Sequence, residues 1–456
     1  MTLKISISGI RGITGESLTD EVVSDFSRAF ASYIKRGVVV AGRDPRASGE
    51  KIKDIVISNL NSMGIDVTYL GICPTPTVQL MVKELKADGG IIITASHNPA
   101  QWNGLKFVRS DGIFLNKDEA ERLIGIYEKR SFIVPARTGS LKIQDKPLDP
   151  HIKKVLGCVD VQGIRKRKFK VVLDSCNGAG SVITVELLKE LGCEVIELYT
   201  DTKKPFPHNP EPIPANLKDL CEKVKAAGAD IGFAQDADAD RLAVVTEKGT
   251  APGEEYTLAI VAEHILSISS AKGGSASGGK TPSPKIVTNL STSMMVDDIA
   301  KKYGAKVIRT RIGEVNVAEE MVKQKALIGG EGNGGIMYPK VGYARDSLAG
   351  IGLILDSLSR KGKSASSAID GLPKYFIVKE KVACSSKDEA ASFMEKVKRT
   401  FTEETLDLTE GIKVIYKNAW VHVRPSNTEP AIRIIAEAES AEKALELIDK
   451  VMKSRR

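Results

Sequence analysis

Three aspartates alternate with alanines through Asp236-Ala237-Asp238-Ala239-Asp240, and Arg241 follows. Spaced two apart in one short loop, they crowd three negative charges together, an arrangement that repulsion opposes unless a cation shares them. An all-oxygen ligand set suits Mg²⁺ or Ca²⁺. The spacing imitates an EF-hand, with Glu247 at the twelfth position. But Arg241 stands at the sixth, where that loop needs glycine, and strand-like runs flank it where helices are required. A solvated acidic turn is the plainer alternative. The adjacent Arg241 points to an anionic group beside the metal.

A second loop, Thr94-Ala95-Ser96-His97-Asn98-Pro99, places a serine where a polar turn follows an apolar run. Serine needs activation or a strong electrophile before it acts as a nucleophile. His97 is too close in sequence to be taken as its base, and the nucleophile-elbow pattern is missing. Alone, the loop is equally well a simple turn. Beside a metal loop, Ser96 reads as the acceptor of a phosphoryl group. The metal then neutralises phosphoryl oxygens, and Arg11 and Lys106 add positive charge.

Two further loops suit a phosphorylated sugar. Arg424-Pro425-Ser426-Asn427-Thr428-Glu429-Pro430, with Arg433 beyond it, offers a guanidinium, two hydroxyls, an amide and backbone N–H groups to a phosphate dianion. Gly330-Glu331-Gly332-Asn333-Gly334 offers Glu331 and Asn333 to sugar hydroxyls, on glycines that allow close approach. Gly274–Thr281 matches the Walker A expression, but a helix-like run precedes it and Pro282 and Pro284 follow, so ATP binding there is rejected.

The elements that carry these loops repeat. Val38–Asp44 with Gly64–Tyr69, Val171–Ser175 with Gly192–Glu197, and Ile286–Asn289 with Gly304–Arg309 each read as strand, loop, helix and a glycine-led second strand. Each glycine falls where a helix C-cap is wanted. Each repeat continues into a third apolar run, Ile91–Ile93, Ile231–Ala234 or Ala326–Ile328, which ends in the serine, aspartate or Glu331 loop. A fourth strand follows. Strand-end loops carry function in α/β proteins, so three unusual loops at matching places predict one composite site. Chance likeness among βαβ units is the alternative to common ancestry. The predicted architecture is α/β: three related α/β domains and a smaller C-terminal α+β domain around a central cleft. The predicted boundaries are 1–149, 150–253, 254–369 and 370–456. Ser267–Lys285 reads as a flexible excursion.

The 456-residue chain is too long for one core. Apolar content of 42% and charged content of 27% are ordinary for a soluble protein. The longest apolar runs fall short of a membrane span, and the N-terminus lacks a signal-peptide pattern, so the expected location is cytoplasmic, with no membrane partner. Six scattered cysteines read as reduced thiols without metal-ligand spacing. A net charge of +8 admits several anionic partners, but with 5% aromatics there is no stacking platform for nucleic acid, and small anions fit best.

Taken together, the motifs resemble the α-D-phosphohexomutase superfamily in order and over essentially the whole chain. Thr94–Pro99 is similar to its phosphoserine loop, Asp236–Arg241 to its metal loop with alanines where glycines are common, Gly330–Gly334 to its sugar-binding loop and Arg424–Pro430 to its phosphate loop. Ser8-Gly9-Ile10-Arg11-Gly12 and Gly42-Arg43-Asp44-Pro45-Arg46 look like its N-terminal signatures. The resemblance implies Mg²⁺ held by Asp236, Asp238, Asp240 and phosphorylated Ser96. It implies a catalytic set of Ser96, His97, Arg11 and Lys106, and substrate contacts from Arg241, Glu331, Asn333, Arg424, Ser426, Asn427, Thr428 and Arg433. Phospho-Ser96 donates to a hexose phosphate, and the bound 1,6-bisphosphate returns its other phosphate. Relatives often have Ser in place of Asn333 and His in place of Gly335. Glu314 stands where some carry a base or hydroxyl ligand, so its role and the general base stay open.

Asn427 favours the phosphoglucomutase/phosphomannomutase branch, with glucose and mannose phosphates as substrates and glucosamine phosphate ranked lower. Phosphoglucosamine mutase and a Mg²⁺-dependent sugar phosphatase are the alternatives. A monomer and a homodimer are equally compatible with the sequence.

Overall fold

The alternating apolar and polar runs settle into three copies of one sheet pattern. In the computed structural model, which describes residues 3–273, 283–426 and 431–455, strands Val38–Arg43, Asp66–Ile72 and Gly89–Ile93 pair in parallel. Trp102–Arg109 adds antiparallel to the third of these. The second repeat uses Lys170–Asp174, Glu194–Leu198, Ile231–Gln235 and the antiparallel Leu242–Thr246. Both sheets run fourth, third, first, second in space. In the third repeat, Ile328–Glu331, Lys285–Asn289 and Lys306–Thr310 keep the order third, first, second. Three identical orders are what duplication predicts and chance does not. Gly64, Gly192 and Gly304 all take positive φ (80°, 74° and 64°), the left-handed C-cap read from each repeat.

The first sheet grows to seven strands through Lys4–Ser6 and Gly9–Ile13 on one side and Leu141–Ile143 on the other. Its core packs Phe26 and Phe30, from the helix Asp20–Ile34, against Phe107 and the fully buried Ile91 and Ile93. The C-terminal part forms an antiparallel five-stranded sheet in the order Phe376–Ala383, Ala431–Ala438, Ala419–Pro425, Ile412–Ile415, Thr405–Asp407. Helices Lys387–Thr400 and Ala441–Lys453 bury Phe393, Val397 and Ile448 against it.

By contact density the chain forms two compact units. One comprises Met1–His264 and Asn333–Ile369, the other Ile265–Gly332 and Asp370–Arg456. One expectation changes. Both ends of the excursion read at Ser267–Lys285 are regular structure. The helix Glu255–Gly273 continues through Ser267, Ser269 and Ser270, whose small polar side chains do not break helical geometry, and Lys285 opens the strand Lys285–Asn289; residues 274–282 lie outside the described residues. The Walker A match lies outside the described residues. The six cysteines are unpaired. Among the described residues no helix is long and apolar enough to cross a membrane.

Candidate active site

Two of the three repeat loops converge in the first unit. Ser96 is 1% exposed at the end of Gly89–Ile93, and its Oγ donates to Asp236 Oδ2 at 3.1 Å. His97 Nδ1 lies farther from Ser96 Oγ, at 3.4 Å. Asp236, Asp238 and Asp240 are wholly buried, each with a carboxylate oxygen within 4.8 Å of the others. The loop closes on itself through Asp236 Oδ1, which accepts the backbone N–H groups of Asp240 and Arg241, both at 3.1 Å.

Cations from elsewhere hold the remaining carboxylates. Lys106, 2% exposed in strand Trp102–Arg109, donates to Asp238 Oδ2 at 2.6 Å and Asp240 Oδ2 at 3.3 Å. Arg345 Nη2 donates to the same Asp240 oxygen at 2.6 Å, and Thr75 Oγ1 to Asp238 Oδ2 at 2.5 Å. Burial pushes the Asp236 carboxyl well above the ordinary carboxylate range, and the charges of Asp240 and Asp238 push it further. Burial acts the same way on Asp238 and Asp240, but Lys106 at the former and Arg345 with Lys106 at the latter outweigh it, so both fall below that range. Burial opposes the Lys106 charge, yet Asp238 and Asp240 hold its pKa above the usual value. Burial, then Arg241 and Arg11, keep His97 neutral.

This donor set fits a divalent cation. Each of Asp238 and Asp240 has one oxygen satisfied by cationic or hydroxyl donors, while the other, Oδ1, is buried and accepts no hydrogen bond. Unsatisfied buried carboxylate oxygens are costly, and a hard cation is the ligand that satisfies them. Arg241 lies at the rim, its Nη1 on Glu211 Oε1 at 3.2 Å and its buried Nε without a hydrogen-bond partner. Arg11 Nη1 reaches Asn98 Oδ1 at 3.4 Å. Asn333, also in this unit, accepts from Gly335 N–H at 3.2 Å.

In the second unit, Glu331 Oε1 accepts from Asn289 Nδ2 at 2.8 Å and Gly313 N–H at 3.1 Å, which holds the carboxylate against the start of the helix Glu314–Gln324. Arg424 is the last-but-one residue of its strand and pairs loosely with Glu410 at 3.6 Å. Its buried Nε–H donates to no hydrogen-bond partner. Burial, set against the Glu410 charge, lowers its pKa. Arg433 lies opposite it in the sheet register and is exposed. Ser426 follows Arg424 by two residues. Asn427 and Thr428 lie outside the described residues.

Sequence reasoning missed Thr75, Arg345 and Glu211. Arg345 precedes Asp346, whose side chain caps the helix Ser347–Lys361 by accepting from Leu348 and Ala349 N–H. That capping aspartate was legible locally. The contact of its neighbour with Asp240, 105 positions away, was not.

Four family models match the chain in succession. These are "Phosphoglucomutase/phosphomannomutase, alpha/beta/alpha domain I" over residues 3–134, domain II over 149–249, domain III over 254–376, and the C-terminal domain over 379–454. A Thermococcus kodakarensis protein named phosphoglucomutase/phosphomannomutase is 40% identical over 451 residues, covering 97% of this chain and 96% of its own. A Sulfurisphaera tokodaii phosphoglucosamine/phosphogalactosamine mutase is 33% identical over 452 residues, covering 98% and 97%. The crystal structure of a phosphoglucomutase/phosphomannomutase family protein from Burkholderia thailandensis superimposes with a TM-score of 0.84 at 27% identity, over 99% of this chain and 97% of that one.

Proposed function

We propose that this chain, which belongs to the phosphoglucomutase/phosphomannomutase family, is a phosphohexomutase that carries its phosphoryl group on Ser96 and exchanges it with O1 and O6 of glucose and mannose phosphates. The observation that carries the reading is the charge balance around Ser96. Lys106, Arg345, Arg241 and Arg11 are matched by Asp236, Asp238, Asp240 and Glu211, so a divalent cation added among them leaves two positive charges in excess. A phosphoserine contributes about two negative charges and brings the site back near balance.

Asp236, Asp238 and Asp240 would hold Mg²⁺ together with the Ser96 phosphate, and the ion supplies neutralisation of phosphoryl oxygens. Thr75, Lys106 and Arg345 keep the carboxylates aimed. Transfer breaks the bond between phosphorus and Ser96 Oγ and forms one to the free O1 or O6 of the sugar; the sugar hydroxyl gives up its proton and the departing Oγ takes one up, so Ser96 is left as a neutral hydroxyl. The resulting hexose 1,6-bisphosphate turns over and returns its other phosphoryl group to Oγ. Arg424, whose Nε is a buried donor without a partner, is assigned the phosphate that is not reacting, with Ser426, Asn427, Thr428 and Arg433 around it. Glu331 and Asn333 are assigned the sugar hydroxyls.

Ser96→Ala is expected to abolish turnover and to lack the single phosphoryl mass that the active protein carries; near-normal turnover in the variant rejects the mechanism. The name of the Thermococcus relative and Asn427 support glucose and mannose, whereas that of the Sulfurisphaera relative supports an amino sugar. The kcat/KM values for glucose, mannose and glucosamine 1-phosphates decide between them. A glucosamine preference beyond about tenfold, or about 1.4 kcal/mol, assigns the chain to the amino sugar. Release of free phosphate from glucose 1-phosphate in place of glucose 6-phosphate would identify a phosphatase.

A further inference from the structure

Ser96 sits at φ 51°, in the left-handed region, which a residue with a Cβ occupies only when its surroundings hold it there. The carbonyls of this loop and of the strand that follows it converge on one side chain. Arg46, 3% exposed, donates Nη2 to Ser96 O at 2.5 Å and Asn98 O at 2.7 Å, and Nη1 to Pro99 O at 2.6 Å and Trp102 O at 3.1 Å. Its Nε donates to Asp44 Oδ2 at 2.9 Å. Thr94 Oγ1 donates to that same carboxylate oxygen at 2.6 Å and accepts the Ser96 N–H at 2.8 Å. The two backbone polar groups of Ser96 are thus gripped by one closed network, its N–H through Thr94 and Asp44, its C=O through Arg46. The Phe206 ring lies 4.9 Å from the guanidinium and completes its enclosure.

Resting on the reading of Ser96 as the phosphoryl carrier, we infer that Arg46, acting with Asp44 and Thr94, is a positioning residue for phosphoryl transfer, holding Ser96 in the left-handed conformation that aims Oγ at Asp236. The Arg46 side chain donates to backbone carbonyls and to Asp44, so it acts on Ser96 through the backbone. A planar fork reaches four carbonyls and a carboxylate at once, which a lysine ammonium with three donors does not. Freed of the network, Ser96 relaxes toward ordinary backbone angles and Oγ swings off line, while the Arg424 phosphate grip is untouched. The effect falls on kcat and leaves KM nearly unchanged.

The test uses the full-length protein with Arg46→Lys, Thr94→Val and Thr94→Ser. Steady-state kinetics with glucose 1-phosphate are measured alongside the rate at which glucose 1,6-bisphosphate phosphorylates each protein, read by intact mass. Arg46→Lys is expected to lower kcat and the phosphorylation rate by about a hundredfold, the scale of a misplacement near 1 Å. Thr94→Val, of nearly the same volume, lowers both by about thirtyfold, the effect of losing two hydrogen bonds of ordinary strength, the one to Asp44 and the one from Ser96 N–H. Thr94→Ser, which keeps the hydroxyl, recovers most of that loss. KM stays within about twofold in all three, on the uniform-binding criterion. The inference is overturned if Thr94→Val phosphorylates at the wild-type rate, or if its losses appear in KM and thermal stability instead of kcat. Wild-type protein that gains no phosphate on Ser96 would defeat the phosphoserine reading itself, an outcome distinct from either.

Discussion

Lys413 is a buried cation whose charge the fold disfavours. It is 3% exposed, donates to Leu290 O at 2.5 Å, and holds its ammonium 4.2 Å from the centre of the Trp420 ring. Burial, helped by Arg309, pushes its pKa from the ordinary 10.5 down to about 7, against the pull of Asp297, Glu437 and Asp407. The unfolded chain therefore keeps this proton to a higher pH than the folded one. Between pH 7 and 10.5 the unfolded state binds more protons, so stability rises with pH across that window, and below it the penalty is complete and constant. The full gap is worth about 5 kcal/mol, and attraction of the ammonium to the Trp420 face offsets about 1–2 kcal/mol of it. A net rise of about 3–4 kcal/mol is expected. The chain has two tryptophans, so a Trp102→Phe background leaves Trp420 as the reporter of the second unit. Denaturant unfolding of that protein and of its Lys413→Met derivative, from pH 6 to 10.5, cancels all other titrating groups in the difference. Lys413→Met should be the more stable at pH 6, with its advantage shrinking by about 3–4 kcal/mol toward pH 10.5. A difference that does not change with pH refutes the reasoning.

Four further outcomes follow from the site. Asp240→Asn should lower kcat by about a hundredfold or more, the scale of losing one strong electrostatic stabiliser, and wild-type activity should vanish in EDTA and return with Mg²⁺; full activity in the chelator would show that the loop holds no catalytic metal. Arg345→Met removes the 2.6 Å donor to Asp240 and should cost about 1.5–3 kcal/mol in kcat/KM, or about 10- to 150-fold; unchanged kcat/KM would make that contact idle. Arg424→Ala should raise KM for hexose 1-phosphates by about 10- to 150-fold, with a smaller loss of kcat because remote binding energy also aligns the reacting end. Unaltered kinetics there would place the phosphate elsewhere.

The local chemistry of each loop was legible because it is written in adjacent residues. Alternating carboxylates in one loop suggest a shared cation, and a serine that opens a polar turn after an apolar run marks the end of a strand. The repeats were legible for the same reason: period-2 strands, helical apolar spacing and a capping glycine are short-range signals, and Gly64, Gly192 and Gly304 adopt the φ that the pattern demanded. The boundary of the helix Glu255–Gly273 was misjudged, because small polar residues continue a helix whose apolar face is already anchored by Leu258, Val261 and Leu266.

What the sequence by itself determined about this protein is therefore its inventory of reacting groups and the repeated elements that carry them. Which cations neutralise which carboxylates was decided only by tertiary structure. Thr75 and Arg345 lie 163 and 105 positions from the aspartates they hold, and Arg46 lies 50 positions from the serine whose carbonyl it binds. Nothing in the neighbourhood of a lone arginine or threonine records such a partner. The pairing exists because burial strips water from the polar groups of both loops and obliges each to find a donor or acceptor within reach. That constraint acts on positions in space and not along the chain.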